Sequence, residues 1–110
     1  MRTIDEIKSD LLNNNYIMSI HAAQKAVNRD ITIKEIRETA ADLKIIEDYP
    51  LDKYSPSCLL LGFTLQKRPL HIQVTTDSSS ILKVITLYQP NNDKWSNDYK
   101  IRRKYEIQMS

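Results

Sequence analysis

The sequence predicts an α+β domain, with N-terminal helices packed on a four-stranded antiparallel sheet. Three observations predict it. Two capping boxes, Thr3-Ile4-Asp5-Glu6 and Thr32-Ile33-Lys34-Glu35, open helical stretches within the first 43 residues. After Leu43 the apolar period shortens, and Leu70, Ile72 and Val74 alternate with His71, Gln73 and Thr75. The apolar segments of this second half are joined by short polar turns, which favours antiparallel neighbours.

The elements follow in order. A helix is expected over 3–14, where Ile4, Ile7 and Leu11 stand at helical spacing and Asn13-Asn14-Asn15 ends the run. A second, over 19–29, starts at Ser19 with Ile20, Ala23 and Val27 as its apolar stripe. The third, over 32–43, carries Ile33, Ile36, Ala40 and Leu43. No Gly or Pro interrupts any of them.

Strands are expected over 44–49, 57–63, 69–76 and 81–89. Pro50 stops the first, and Asp52 and Ser55-Pro56 mark the loop after it. Ser57 to Phe63 is mostly apolar, as in a strand buried on both faces, and Gly62 marks a bulge or a close backbone approach. Gln66-Lys67-Arg68 suits a hairpin loop, Asp77 to Ser80 a turn, and Pro90-Asn91-Asn92 closes the last strand.

A chain of 110 residues has room for one domain, with a core over about 3–95 and a basic C-terminal tail over 96–110. Hydrophobic (41%) and charged (27%) fractions are ordinary for a globular protein, which argues against disorder. The longest apolar run, Cys58 to Leu61, is far too short to span a membrane. The N-terminus turns acidic where a signal peptide needs an apolar stretch, and a lone cysteine fits a reducing compartment. The expectation is a cytoplasmic protein without a membrane partner. Charge is uneven: residues 1–50 carry seven Lys/Arg against nine Asp/Glu, and residues 51–110 carry nine against five. The cations Lys94, Lys100, Arg102, Arg103 and Lys104 offer a polyanion a foothold, or are simply solvated.

With one glycine there is no Gly-rich phosphate loop, and no GxSxG elbow is present. His21, His71 and Cys58 form no close ligand pair, so neither metal nor cofactor is expected. What remains is a set of His, Lys, Arg and Tyr side chains suited to phosphodiester chemistry. His21, Lys25 and Arg29 stand at i, i+4 and i+8 and share a helical face. In RNA cleavage a base takes the 2′-hydroxyl proton, an acid protonates the leaving oxygen and a cation stabilises the phosphorane. The plainer reading is local packing for His21 and solvation for the two cations. His71 alternates away from Leu70 and Ile72, toward a cleft rather than the main core. Tyr88 and Trp95 are suited either to base stacking or to packing. Tyr49, Tyr54 and Cys58 read as strand-edge or core residues.

Ser19-Ile20-His21-Ala22-Ala23-Gln24-Lys25-Ala26-Val27-Asn28-Arg29-Asp30-Ile31 resembles the S-x-H-A-x-x-R-x-x-x-R-x-I opening of the family called domain of unknown function 4258. Ile46 to Tyr49, Cys58 to Gly62, Arg68 to Ile72, Val84 to Pro90 and Trp95 look like its later blocks. Lys25 departs from the usual Arg, keeping the charge but losing a bidentate fork. The resemblance implies a fold similar to RelE/ParE toxins. It also implies a toxin-like, metal-independent endoribonuclease of a toxin–antitoxin type system. His21 and Arg29, then His71 and Tyr88, are its implied catalytic positions. Lys25, Trp95, Lys100, Arg102, Arg103 and Lys104 are the binding candidates. The implied partners are RNA, free or ribosome-bound, and an antitoxin protein. The alternative is a non-catalytic protein- or nucleic-acid-binding module on the same fold.

Overall fold

The computed structural model describes residues 1–53 and 55–103. Its first helix, α1 (Ile4–Leu12), opens on a complete capping box, with Glu6 N donating to Thr3 Oγ1 at 3.1 Å and Thr3 N to Glu6 Oε1 at 2.9 Å. Ser19 caps α2 (Ile20–Asn28) by accepting from Ala22 N at 3.0 Å. Thr32 and Glu35 form the second capping box, at the start of α3 (Ile33–Thr39).

Helix α3 ends earlier than the 43 expected from its apolar spacing. After Thr39 the backbone bonds become i to i+3, from Ala40 N to Arg37 O and from Ala41 N to Glu38 O. Asp42 then leaves the helical path to accept the Phe63 N–H at 3.1 Å. That bond turns the chain into the sheet, and Leu43 is still buried.

The buried face of α2 is not the expected Ile20-Ala23-Val27 stripe. Ala22 and Ala26 are buried, whereas Ile20 is 80% and Val27 77% exposed. Ser19 sets this rotation: its N–H donates to Val84 O at 3.1 Å and its hydroxyl to Ile85 O at 3.1 Å. Pinned at its N-cap, α2 lies on the sheet through its smallest side chains.

Five strands, not four, make the open sheet: β1 (Tyr16–Met18), β2 (Lys44–Tyr49), β3 (Ser57–Phe63), β4 (Pro69–Thr75) and β5 (Leu82–Tyr88). Their spatial order is β1-β5-β4-β3-β2. The last four form an antiparallel meander, with Leu60 opposite Ile72 and His71 opposite Tyr88. The added strand β1 runs parallel to β5, Tyr16 opposite Leu82 and Met18 opposite Val84, so the sheet is not wholly antiparallel. Three residues are too few to show an alternation, and the partner lies 66 positions away in sequence.

The helices cover one face of the sheet. Ile7, Leu11, Ala22, Ala26 and Ile36 pack there on Cys58, Leu60, Leu70, Ile72, Val74, Leu82, Val84 and Leu87. Strand β3 is buried on both faces, as expected, because the segment after β5 folds back over the far side. Gly62 marks a close approach: a Cβ there would lie 2.5 Å from Thr39 Cβ and 2.9 Å from Thr39 O. Strand shifts occur elsewhere, at Ile45/Glu47 and Gln73/Val74. No helix among the described residues is long and apolar enough to cross a membrane.

Two outcomes follow from this packing. Gly62→Ala should lower unfolding free energy by roughly 1–3 kcal/mol in urea titration, because both a side chain and a carbonyl of α3 must move. A wild-type midpoint in that variant would contradict the approach. Cys58 is fully buried, with its thiol pushed up to about 12, first by burial and then by Asp48. It should react with a thiol reagent only at the rate of unfolding.

Candidate functional site

Arg68, at the start of the run into β4, draws the site together. Its Nε donates to Gln89 Oε1 at 2.8 Å, one terminal nitrogen to Asp30 O at 2.8 Å, and the other to Arg29 O at 2.8 Å. It also pairs with the Glu35 carboxylate at 3.0 Å. The guanidinium therefore satisfies carbonyls at the C-terminal end of α2, where Asp30 takes a positive φ of 53°, and ties them to α3 and to the end of β5. Burial alone would raise the Glu35 carboxyl, but the hydrogen bonds from Arg68 and Thr32 outweigh it and hold it below the usual carboxylate range.

Arg29, held in this frame, donates to Leu87 O at 2.8 Å and stands 6.0 Å from the centre of the Tyr88 ring. Both residues line a cleft of about 620 Å³, with Arg68, Lys94 and Arg102 supplying three further cations. Two of the four cations are neutralised by carboxylates. Arg68 pairs with Glu35, and Arg102 pairs with Glu47 at 3.0 Å. Among the described residues no carboxylate lies within ion-pair distance of Arg29 or Lys94. These two leave the cleft a net positive charge.

Behind Tyr88 a hydrogen-bond chain runs into the protein. Tyr88 Oη lies 3.2 Å from His71 Nδ1, and His71 Nε2 lies 2.8 Å from Tyr99 O. A carbonyl only accepts, so Nε2 carries the imidazole proton. In the neutral ring Nδ1 is then the acceptor, and the Tyr88 hydroxyl donates to it. Burial pushes the His71 imidazole below its usual value, against the upward pull of the Tyr99 carbonyl and Glu47. Burial likewise raises the Tyr88 phenol. The pair therefore rests as a phenol and a neutral imidazole. His71 is not half-exposed as its strand pattern predicts, but fully buried beneath the segment that follows β5.

Trp95 is the centre of that segment. Its indole is buried, packs edge-on against His71 with centroids 4.3 Å apart, and carries the Arg102 guanidinium 4.6 Å from its ring centre. A base would have to displace Arg102 to stack on that face. Arg103 closes the same turn by donating to Asn92 O at 2.6 Å and Trp95 O at 2.8 Å. Residues 96–103 thus fold back on the sheet, and Arg102 and Arg103 are engaged within it.

The structure brings Arg29, His71, Tyr88, Trp95 and Arg102 together. His21 is exposed near the start of α2 and does not line the cleft, and neither do Lys25 or Lys100. Lys104, like Tyr54, lies outside the described residues. Sequence reasoning missed Arg68, Glu35 and Glu47 as parts of the site, and counted Lys94 only among the cations of the basic stretch. Arg68 sits in one of the family-like blocks beside Pro69, a signal that a hairpin-loop reading absorbed.

A proton linkage follows from His71. The unfolded chain takes up this proton near the usual 6.5, and the folded one only at lower pH. Its contribution is therefore fully present above about pH 6.5 and falls as pH drops below it, by at most about 1.4 kcal/mol per pH unit. Tm measured from about pH 7.5 down to about 5 should fall more steeply in wild type than in His71→Gln. Equal slopes would show that the imidazole is not proton-linked to folding.

A family profile described as Domain of unknown function (DUF4258) matches residues 18–89. No curated protein and no solved structure matches the chain. The matched stretch takes in Arg29, Arg68, His71 and Tyr88, and it stops before Lys94, Trp95 and Arg102. The match covers well over half of the sequence, and the chain belongs to the DUF4258 family.

Proposed function

We propose that this chain is a metal-independent endoribonuclease of toxin type, on a RelE/ParE-like fold, acting at the Arg29–Tyr88 cleft. The observation that carries the reading is the Tyr88–His71–Tyr99 hydrogen-bond chain ending in a cleft where Arg29 and Lys94 meet no carboxylate among the described residues. Arg29 and Lys94 grip the phosphate and stabilise the charge that grows on its oxygens. Tyr88 Oη takes the proton of the 2′-hydroxyl as its own proton passes to His71 Nδ1. The imidazolium formed is held by the Tyr99 carbonyl on Nε2 and by the nearby charge of Glu47. The 2′-oxygen attacks phosphorus, the 5′-oxygen leaves, and the same relay returns the proton to it. His71 acts through Tyr88 and does not touch the substrate. His21, eight residues before Arg29 and so roughly 12 Å away along the helix, takes no proton in this scheme.

One observation favours the non-catalytic alternative. His71 is fully buried with its basicity lowered, which suits an imidazole that only positions Tyr88 in a phosphate-binding cleft. RNA, free or on ribosomes, and a neutralising antitoxin partner belong to the first reading, and a protein or a nucleic acid is the ligand in the second.

The test uses purified full chain, RNA with and without ribosomes, and growth after induced expression. Cleavage should persist in chelator and fall about 10²–10⁴-fold in Tyr88→Phe, with RNA binding retained. Arg29→Ala should weaken cleavage and binding together. Removing both Arg29 and Lys94 charges should flatten the salt dependence of binding by about 1.4 in log–log slope. Binding without cleavage, and without effect on growth, would select the alternative. Loss of neither function in Tyr88→Phe would discard the assignment of the site.

A further inference from the structure

On the helical side of the sheet, a second concavity of about 530 Å³ follows the seam between α1 and α3. Its lining differs from that of the Arg29 cleft in every residue. Small side chains keep it open, with Ser9 from α1 and Ala40 and Ala41 after α3. Leu12 and Leu65 form apolar walls and are left 52% and 76% exposed. These are side chains that a small domain ordinarily buries, and here they stand on either side of a furrow.

The rim is mainly cationic. Lys8, Lys34 and Arg37 surround the furrow, and among the described residues no carboxylate lies within ion-pair distance of any of them. The one acid on the rim, Glu38, accepts the Leu65 N–H at 3.0 Å and so is turned toward the wall. An apolar floor with a cationic rim complements a segment that is apolar on one side and acidic on the other. A furrow between two helices suits such a segment in helical form, with anchors at i, i+3 or i+4, and i+7.

We infer that the α1–α3 seam is a docking groove for an acidic amphipathic helix of a partner protein. Its apolar anchors sit between Leu12 and Leu65, and its carboxylates meet Lys8, Lys34 and Arg37. Burial of the anchors sets the affinity, while the rim cations set orientation and association rate.

The test is selection of a displayed library of random helical peptides, about 16 residues long, on the immobilised full chain. Enriched sequences should carry Leu or Ile at the helical spacing with Asp or Glu flanking them. A synthetic consensus peptide should bind about tenfold more weakly to Ala41→Glu and to the Lys34→Glu, Arg37→Glu double variant. Both changes lie on exposed positions, circular dichroism would verify the fold, and RNA binding at the other cleft should be unchanged. A neutral or basic consensus, no enrichment, or equal affinity for wild type and variants would overturn the inference. So would a concentration-dependent dimer abolished by Ala41→Glu, which would make a second copy the occupant. Binding of anionic lipid vesicles in place of the peptide, lost on charge reversal, would assign the groove to a membrane surface and overturn it equally.

Discussion

One guanidinium sets the geometry on which the candidate site depends. Arg68 reaches across the open end of the domain and bonds to α2, α3 and the end of β5 at once. Each contact answers a local need. The last carbonyls of α2 have no partner within the helix, and a cation at that end also meets the negative end of its dipole. Glu35 is already oriented by the α3 capping box, so the carboxylate that meets Arg68 is fixed before the two pair. A lysine would supply the charge but not this set of diverging donors. Arg29 is aimed by its neighbour's hold on its own carbonyl, and the cleft inherits its shape from a residue that contributes little of its charge.

The far face of the sheet shows how a short segment converts an exposed strand face into an interior. Leu61, His71 and Tyr88 lie side by side across β3, β4 and β5, and alternation alone would leave them to solvent. Trp95 covers His71, and the 96–101 turn brings the Tyr99 carbonyl to the imidazole and its ring to Phe63. Arg102 closes the cover through Glu47 and the indole ring. Charge counting along the sequence reads Lys94 to Lys104 as a stretch of cations open to a polyanion or simply solvated. In three dimensions two of its arginines hold the fold-back together, and Lys94 lines the cleft with no carboxylate within ion-pair distance among the described residues.

What the sequence made legible was whatever is written locally. Thr3 and Thr32 cap as their neighbours three residues on require, and Pro50 and Pro90 close strands where they stand. Strand β1 was invisible because its pairing is remote and its length is three residues. The face of α2 was misread because two apolar stripes coexist on one helix. Size favours Ile20 and Val27, but the Ser19 bonds to β5 select Ala22 and Ala26. His71 was legible as a residue turned from the helical core. Its burial was not, since it depends on a segment that follows it by two dozen positions. Arg29 and Tyr88 were legible through the family pattern, whereas Arg68 acts through backbone carbonyls, which carry no mark of sequence.

The charge balance of the cleft decides how it would respond to an anion. Arg68 is locked by several partners at once and cannot turn toward a ligand without opening the end of α2. Arg102 is held differently. Its side chain is 59% exposed, its ion pair with Glu47 lies at the surface, and such pairs contribute only about 0–1 kcal/mol. A phosphate seated on Arg29 and Lys94 would therefore recruit Arg102 at small cost, since the guanidinium exchanges one carboxylate for another anion. The exchange uncovers a face of Trp95 and leaves Glu47 without its countercharge, beside His71. An unpaired carboxylate there raises the basicity of the imidazole, and Tyr88 then loses its proton more readily. On the proposed reading, the same ligand that fills the cleft would tune the Tyr88–His71 pair behind it and couple binding to proton transfer through a single surface arginine.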